Sequence, residues 1–98
     1  MKRPGVKESE VENHFCWTVE MMGGMTWKTK ALGRIGFPDR FAALPGGGWL
    51  VELKRPKGPV REAQKAFAAD MERMKVNYVL LTTKEEVDAW AEGKIFRL

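Results

Sequence analysis

The sequence has few residues of the kinds that build disulfides and zinc sites. Among its 98 residues there is one cysteine, Cys16, and one histidine, His14. A single cysteine excludes an internal disulfide, and this pair does not have the spacing of a zinc site. No apolar run is long enough to cross a bilayer, and the charged opening "MKRPGVKESE" is unlike a secretory signal. We therefore expect a reduced, intracellular setting without a membrane partner.

The remaining composition is typical of a folded domain with a basic surface. Apolar residues make up 44% and charged residues 31% of the chain, which argues against disorder. No internal repeat or low-complexity linker divides the sequence, so we expect a single domain over residues 1–98. The net charge of +4 is compatible with a polyanionic partner.

Hydrophobic periodicity and turn residues predict seven elements in the order α-β-β-β-α-β-α. The predicted helices cover about residues 6–22, 59–74 and 84–92, and the predicted strands cover 25–32, 38–44, 49–54 and 77–83. Residues 94–98 are compatible with a final edge strand. This order predicts an α/β fold, in which helices flank a mixed sheet.

The strand "WLVELK" carries a glutamate and a lysine on one face. Because side chains alternate along a strand, Glu52 and Lys54 lie opposite Val51 and Leu53. The hairpin through "PGGG" folds Asp39, which follows a proline at the start of the preceding strand, toward both charges. The sequence therefore predicts that three charged side chains converge on one sheet face.

This charged triplet has two interpretations. One is a cross-strand salt bridge at a partly exposed edge. The other is a metal site, since neighbouring carboxylates repel unless a cation lies between them, and Mg²⁺ prefers carboxylate oxygens. A nearby ammonium can stabilise the charge that develops on a phosphate, so the second interpretation suits phosphodiester hydrolysis.

The stretches "GFPDRF" and "WLVELKRPKGPVREAQKAF" together resemble the virus-type replication-repair nuclease (VRR-NUC) family, a branch of the PD-(D/E)xK nucleases. The resemblance covers nearly the whole chain and is to the stand-alone phage and bacterial type. It rests on Gly-x-Pro-Asp at residues 36–39, Glu-x-Lys at 52–54, and Gln64 in the following helix. It implies a restriction-endonuclease-like fold and a DNA endonuclease dependent on Mg²⁺ or Mn²⁺.

The same resemblance implies roles for individual residues. Asp39 and Glu52 would be metal ligands, helped by the Leu53 backbone carbonyl, while Lys54 would be the catalytic lysine and Gln64 a further catalytic residue. Stand-alone members of the family act as homodimers on branched DNA such as four-way (Holliday) junctions. Resemblance to the phage and bacterial type also implies a location in the cytoplasm of a bacterial cell or phage-infected host. The alternative is a non-catalytic DNA-binding module of the same fold.

The resemblance also implies a metal-binding glutamate on the first helix, where Glu8, Glu10 and Glu12 compete. The inward stripe of that helix is predicted to consist of Val11, Phe15, Val19 and Met22. At about 100° per residue, Glu8 projects from the middle of this stripe, Glu12 lies near its margin, and Glu10 points away. Glu8 is therefore the predicted ligand and Glu12 the reserve.

Basic residues flank the proposed cleft in sequence and are predicted to contact DNA phosphates. They are Arg34, Arg40, Arg55, Lys57, Arg61 and Lys65. On the side of the first helix opposite its inward stripe, His14 is accompanied by Trp17 and Met21. This partly apolar side is predicted to be either a subunit contact or a surface covered by the N-terminal arm or the last helix.

Overall fold

The predicted element order is confirmed by a computed structural model, which describes residues 8–29, 37–54 and 62–93. Helix α1 spans Glu8–Met21 and is followed by strands β1 (Met25–Lys28), β2 (Arg40–Leu44) and β3 (Gly47–Leu53). Helix α2 (Glu62–Met74), strand β4 (Tyr78–Leu81) and helix α3 (Lys84–Ala91) complete the order. The strand expected at residues 94–98 lies outside the described residues.

The four strands form one mixed sheet in the order β1-β2-β3-β4. Strands β1, β2 and β3 are antiparallel neighbours, whereas β3 and β4 are parallel. A parallel neighbour requires a crossover connection, and α2 lies in the connection between β3 and β4. The fold is therefore the α/β architecture expected from the sequence.

Helices α1 and α3 pack on one face of the sheet. The predicted inward stripe of α1 supplies Val11, Phe15 and Val19, all fully buried. Alternate residues of the two central strands meet it, among them Val51 and Leu53. The aromatic ring of Trp90 in α3 closes this core, 5.3 Å from Phe15 and 5.7 Å from Trp49 between ring centroids.

Helix α2 covers the other face over the parallel strand pair. Its buried residues Phe67, Ala68 and Met71 pack with Tyr78 of β4 and with the partly buried Leu50 of β3. Strand β4 therefore has helices on both of its faces. This explains why "YVLL" reads as a continuous apolar run rather than as an alternating pattern.

Several strand and helix boundaries differ from the predicted ones by a few residues. Strand β3 begins at Gly47 rather than Trp49, because Gly47 and Gly48 already pair with Leu44 and Ala43. A Cβ atom at Gly48 would lie only 2.7 Å from the ring of Phe41, so the close strand approach requires glycine there. Strand β1 ends at Lys28, earlier than predicted.

Thr83 caps helix α3, as the "TKEE" motif predicted. Its hydroxyl accepts a hydrogen bond from the Glu86 backbone N–H at 3.0 Å. The Glu86 carboxylate completes the cap by accepting from the backbone N–H of Thr82 at 2.7 Å. None of the helices in residues 8–29, 37–54 and 62–93 combines the length and apolarity that crossing a membrane demands.

Candidate active site

The start of strand β2 is held so that Asp39 faces strand β3. Thr29 donates its backbone N–H to the Asp39 carbonyl at 2.9 Å and its hydroxyl to the Pro38 carbonyl at 2.6 Å. The Asp39 carboxylate in turn accepts the backbone N–H of Leu53 at 3.1 Å. These contacts place an exposed carboxylate against the backbone between Glu52 and Lys54.

Glu52 and Lys54 share the sheet face that α2 covers. Their neighbours Val51 and Leu53 belong to the opposite core, so strand alternation turns Glu52 and Lys54 the other way, as predicted. The Lys54 Nζ lies 3.8 Å from Glu52 Oε2, and both side chains are largely withdrawn from solvent. Each of these two charges lowers the free-energy cost of burying the other.

Gln64 reaches this carboxylate from helix α2. Its side-chain amide donates a hydrogen bond to Glu52 Oε2 at 2.7 Å. Gln64 lies on the inward stripe of α2, one turn before Phe67, which explains how a polar side chain comes to be buried there. Glu52 is only 3% exposed, so its carboxylate depends on such protein partners.

Tyr78, at the start of β4, borders the same acids. Burial, and secondarily the negative charges of Glu52 and Asp39, raise the pKa of the Tyr78 phenol well above its ordinary value. Both carboxylates therefore act on a single buried phenol. The sequence alone does not single out Tyr78, because the strand pattern "NYVLLTT" does not reveal which β3 residues lie beside it.

The oxygen donors collected here are those that a hard divalent ion prefers. Asp39 supplies a carboxylate at the Leu53 backbone, and Glu52 supplies one 3.8 Å from the Lys54 ammonium. These donor types fit such an ion. Within the described ranges, no group of three or more Asp, Glu, His or Cys side chains is placed to hold a metal. Glu8 begins helix α1, but its side chain lies outside the described part of the structure. The predicted roles of Glu8 and of the Leu53 carbonyl stay predictions.

Arg40 and Glu12 lie on the opposite face of the sheet and neutralise each other. The Arg40 guanidinium donates to Glu12 Oε2 at 2.7 Å and to the Thr26 hydroxyl at 3.2 Å. Arg40 pairs with Val51 across the ladder, which assigns its side chain to the face of α1. Both side chains therefore lie away from Glu52: Arg40 is poorly placed for the phosphate contact predicted from sequence, and Glu12 is a poor reserve ligand for an ion bound at Glu52.

Replacing Arg40 with methionine is expected to lower the free energy of unfolding by about 2–3 kcal/mol, since a partly buried Glu12 loses its main partner. Urea denaturation measures the change. Arg73→Met is the matched control, because Arg73 pairs with Asp70 at the surface and should change stability by less than about 0.5 kcal/mol. A large loss of DNA affinity in folded Arg40→Met protein would contradict this structural role.

Of the five other residues predicted to contact phosphates, one lies within the described part of the structure and four lie outside it. Lys65 lies on the exposed side of α2, 3.4 Å from Glu62. Arg34, Arg55, Lys57 and Arg61 lie outside the described residues. A role of these residues in binding DNA stays a prediction.

Comparison with known proteins supports the family resemblance noted in the sequence. No family model matches the chain. A 52-residue segment is 40% identical to "Putative nuclease p44" of Acyrthosiphon pisum secondary endosymbiont phage 1. That segment covers 52% of this chain and 56% of the phage protein, so the chain spans just over half the length of this curated relative.

A solved structure of a VRR-NUC domain gives the broader match. It superposes with a TM-score of 0.83 at 26% sequence identity, and the match covers 93% of this chain and 100% of that one. The likeness thus includes nearly all of the sheet and the helices that carry Asp39, Glu52, Lys54 and Gln64. The fold likeness and the phage relative together support a VRR-NUC-type nuclease domain for this chain.

Proposed function

We propose that this protein is a metal-dependent DNA endonuclease that hydrolyses phosphodiester bonds at the Asp39–Glu52 pair. The observation that carries the proposal is the meeting of Asp39, Glu52, Lys54 and Gln64 on one sheet face. If Lys54 and Glu52 formed only a structural ion pair, the nearby carboxylate of Asp39 would have no role in it. The likeness to a VRR-NUC domain supports the same chemistry.

Each side chain has a definite task in this proposal. Asp39 and Glu52, with Glu8 and the Leu53 carbonyl, would hold Mg²⁺ or Mn²⁺. When bound, such an ion supplies Lewis acidity and lowers the pKa of a water ligand. Gln64 fixes the orientation of the Glu52 carboxylate through its 2.7 Å hydrogen bond. Lys54 places a positive charge where negative charge grows on the phosphate oxygens during in-line attack.

Branched DNA, including four-way junctions, is the proposed substrate, and a homodimer is the proposed active form. In support, Trp17 and Met21 of α1 are 57% and 67% exposed, although both are large and apolar. Helix α3 covers only part of this side, through a 2.7 Å contact between His14 and Asp88. A two-fold dimer formed through α1 would carry two cleavage centres for a symmetric substrate. The cytoplasm of a bacterial cell or phage-infected host is the setting we propose.

Cleavage of labelled linear, flapped and four-way DNA in EDTA, Mg²⁺ and Mn²⁺ tests this function. We expect strand cleavage only with a divalent ion and fastest on the branched substrates, together with a dimeric mass by light scattering. Junction binding without cleavage in either metal would instead favour the non-catalytic DNA-binding module. Equal rates on all three substrates would retain the nuclease but reject structure selectivity.

Glu8→Gln is expected to reduce cleavage more than Glu12→Gln, because Glu12 is occupied by Arg40 on the other sheet face. Glu12→Gln should mainly lower thermal stability, since it removes the charge that faces the guanidinium. Initial cleavage rates and melting temperatures of both variants separate the two effects. The reverse ranking of the cleavage rates would assign the helical ligand to Glu12.

A further inference from the structure

The chain has one tyrosine, and its hydroxyl is buried without a hydrogen-bond partner among the described residues. Tyr78 is 1% exposed. A buried hydroxyl left unpaired destabilises a fold, whereas phenylalanine would fill the same space without that penalty. Packing therefore does not explain why a phenol stands at this position, and an unpaired group of this kind calls for another role.

The surroundings of Tyr78 belong to the site rather than to the distant core. Tyr78 pairs in the parallel ladder with Leu50, two residues before Glu52 on the same sheet face. Side chains two residues apart along a strand are separated by about 7 Å, within reach of a phenol on the neighbouring strand. The ring centroids of Tyr78 and Phe67 are 5.7 Å apart. Phe67 follows Gln64 on α2 by about one helical turn. Gln64 and Tyr78 thus border Glu52 from the helix and from the sheet.

The protonation state of the phenol suits a hydrogen-bond donor. A phenol with an ordinary pKa of about 10 already keeps its proton at neutral pH, and burial raises the pKa of Tyr78 further. Ionised carboxylate oxygens only accept hydrogen bonds. A neutral phenol can therefore supply a second hydrogen-bond donor beside the Gln64 amide.

We propose that Tyr78 is a positioning residue, whose hydroxyl donates a hydrogen bond to the Glu52 carboxylate when a divalent ion is bound. Gln64 and Tyr78 then hold the carboxylate together and set the direction in which it presents its oxygens. This inference rests on the proposed function, since it assigns the support of a metal ligand. Partners that orient a ligand typically change metal affinity or activity by about 10- to 100-fold when removed.

Tyr78→Phe removes one oxygen atom and is the direct test. We expect its Mn²⁺ affinity, measured by calorimetry without DNA, to fall by about 10-fold or more. Its cleavage rate should fall in parallel and recover at high Mn²⁺, while its melting temperature stays the same or rises. Thr18→Val is the matched control, because Thr18 also has a buried hydroxyl with no described partner, but it lies on α1. That variant should bind Mn²⁺ like the wild type.

A second measurement uses the unaltered protein. With tyrosine labelled at the ring carbon that carries the hydroxyl, the NMR spectrum has one such signal, from Tyr78. Saturating Mg²⁺ should shift this signal as the hydroxyl gains an acceptor. An unshifted signal, or wild-type Mn²⁺ affinity in Tyr78→Phe, would overturn the role of Tyr78 while leaving the nuclease proposal standing. A wild-type protein that neither binds Mn²⁺ nor cleaves DNA would overturn both.

Discussion

Lys54→Ala is expected to reduce the rate of DNA cleavage by about 10²- to 10³-fold, the loss typical of removing one group that stabilises transition-state charge. The Lys54 ammonium is mostly buried and lies 3.8 Å from Glu52, so it acts in a region where water screens charge poorly. Solvent cations do not take its place readily. Single-turnover cleavage of a four-way junction, at saturating enzyme and Mg²⁺, measures the effect on the chemical step.

Measurements of DNA binding and of folding distinguish a loss of catalysis in Lys54→Ala from a loss of structure. The Lys54→Ala variant should bind the junction in EDTA with nearly wild-type affinity and retain its circular dichroism spectrum. Lys84→Ala is the matched control, since Lys84 is an exposed lysine in the first turn of α3. Cleavage by Lys54→Ala at the rate of the Lys84→Ala control would refute the proposed role of the ammonium group.

Asp39→Asn is the second substitution with a large expected effect, about 10²-fold or more on the cleavage rate. The amide oxygen can still accept the Leu53 N–H, so the hydrogen bond that anchors residue 39 to β3 is retained. The negative charge is lost, and with it part of the attraction for a divalent ion. Several kcal/mol of transition-state stabilisation derive from such an ion, and each 1.4 kcal/mol corresponds to a tenfold change in rate.

Cleavage of linear, flapped and four-way DNA by Asp39→Asn, with Mg²⁺ and Mn²⁺ in turn, tests this expectation. Asp70→Asn serves as the control, because Asp70 pairs with Arg73 on the outer side of α2. We expect Asp39→Asn to be impaired on all three substrates, since the loss concerns the chemistry and not the shape of the DNA. A loss confined to one substrate would make Asp39 a recognition residue rather than a metal ligand.

Local sequence patterns predicted the parts of this site that depend on strand geometry alone. The alternation in "WLVELK" assigned Glu52 and Lys54 to the face opposite Val51 and Leu53, because side chains on a strand alternate whatever surrounds it. The proline before Asp39 indicated the start of β2, and the "PGGG" turn indicated which strand would pair with it. Helical spacing likewise predicted that Gln64 points inward.

Partners on separate elements could not be read in this way. Arg40 looked like a cleft residue because it follows Asp39, yet the next position on a strand faces the opposite side, and only the packing of α1 brings Glu12 to it. Tyr78 looked like one apolar residue among others, since its register against Leu50 depends on how the α2 crossover aligns β4. Neither register nor helix placement is encoded in the spacing of a single element.

From the order of residues alone, one could derive the seven elements, the face of each charged strand residue and the meeting of two acids with a lysine, because these follow from backbone periodicity and a short hairpin. The three-dimensional packing was needed to show that Gln64 binds Glu52, that Glu12 and Arg40 pair away from the site, and that a buried phenol lies beside the acids. Such contacts join residues distant in sequence, and they form only when helices dock on the sheet at particular positions.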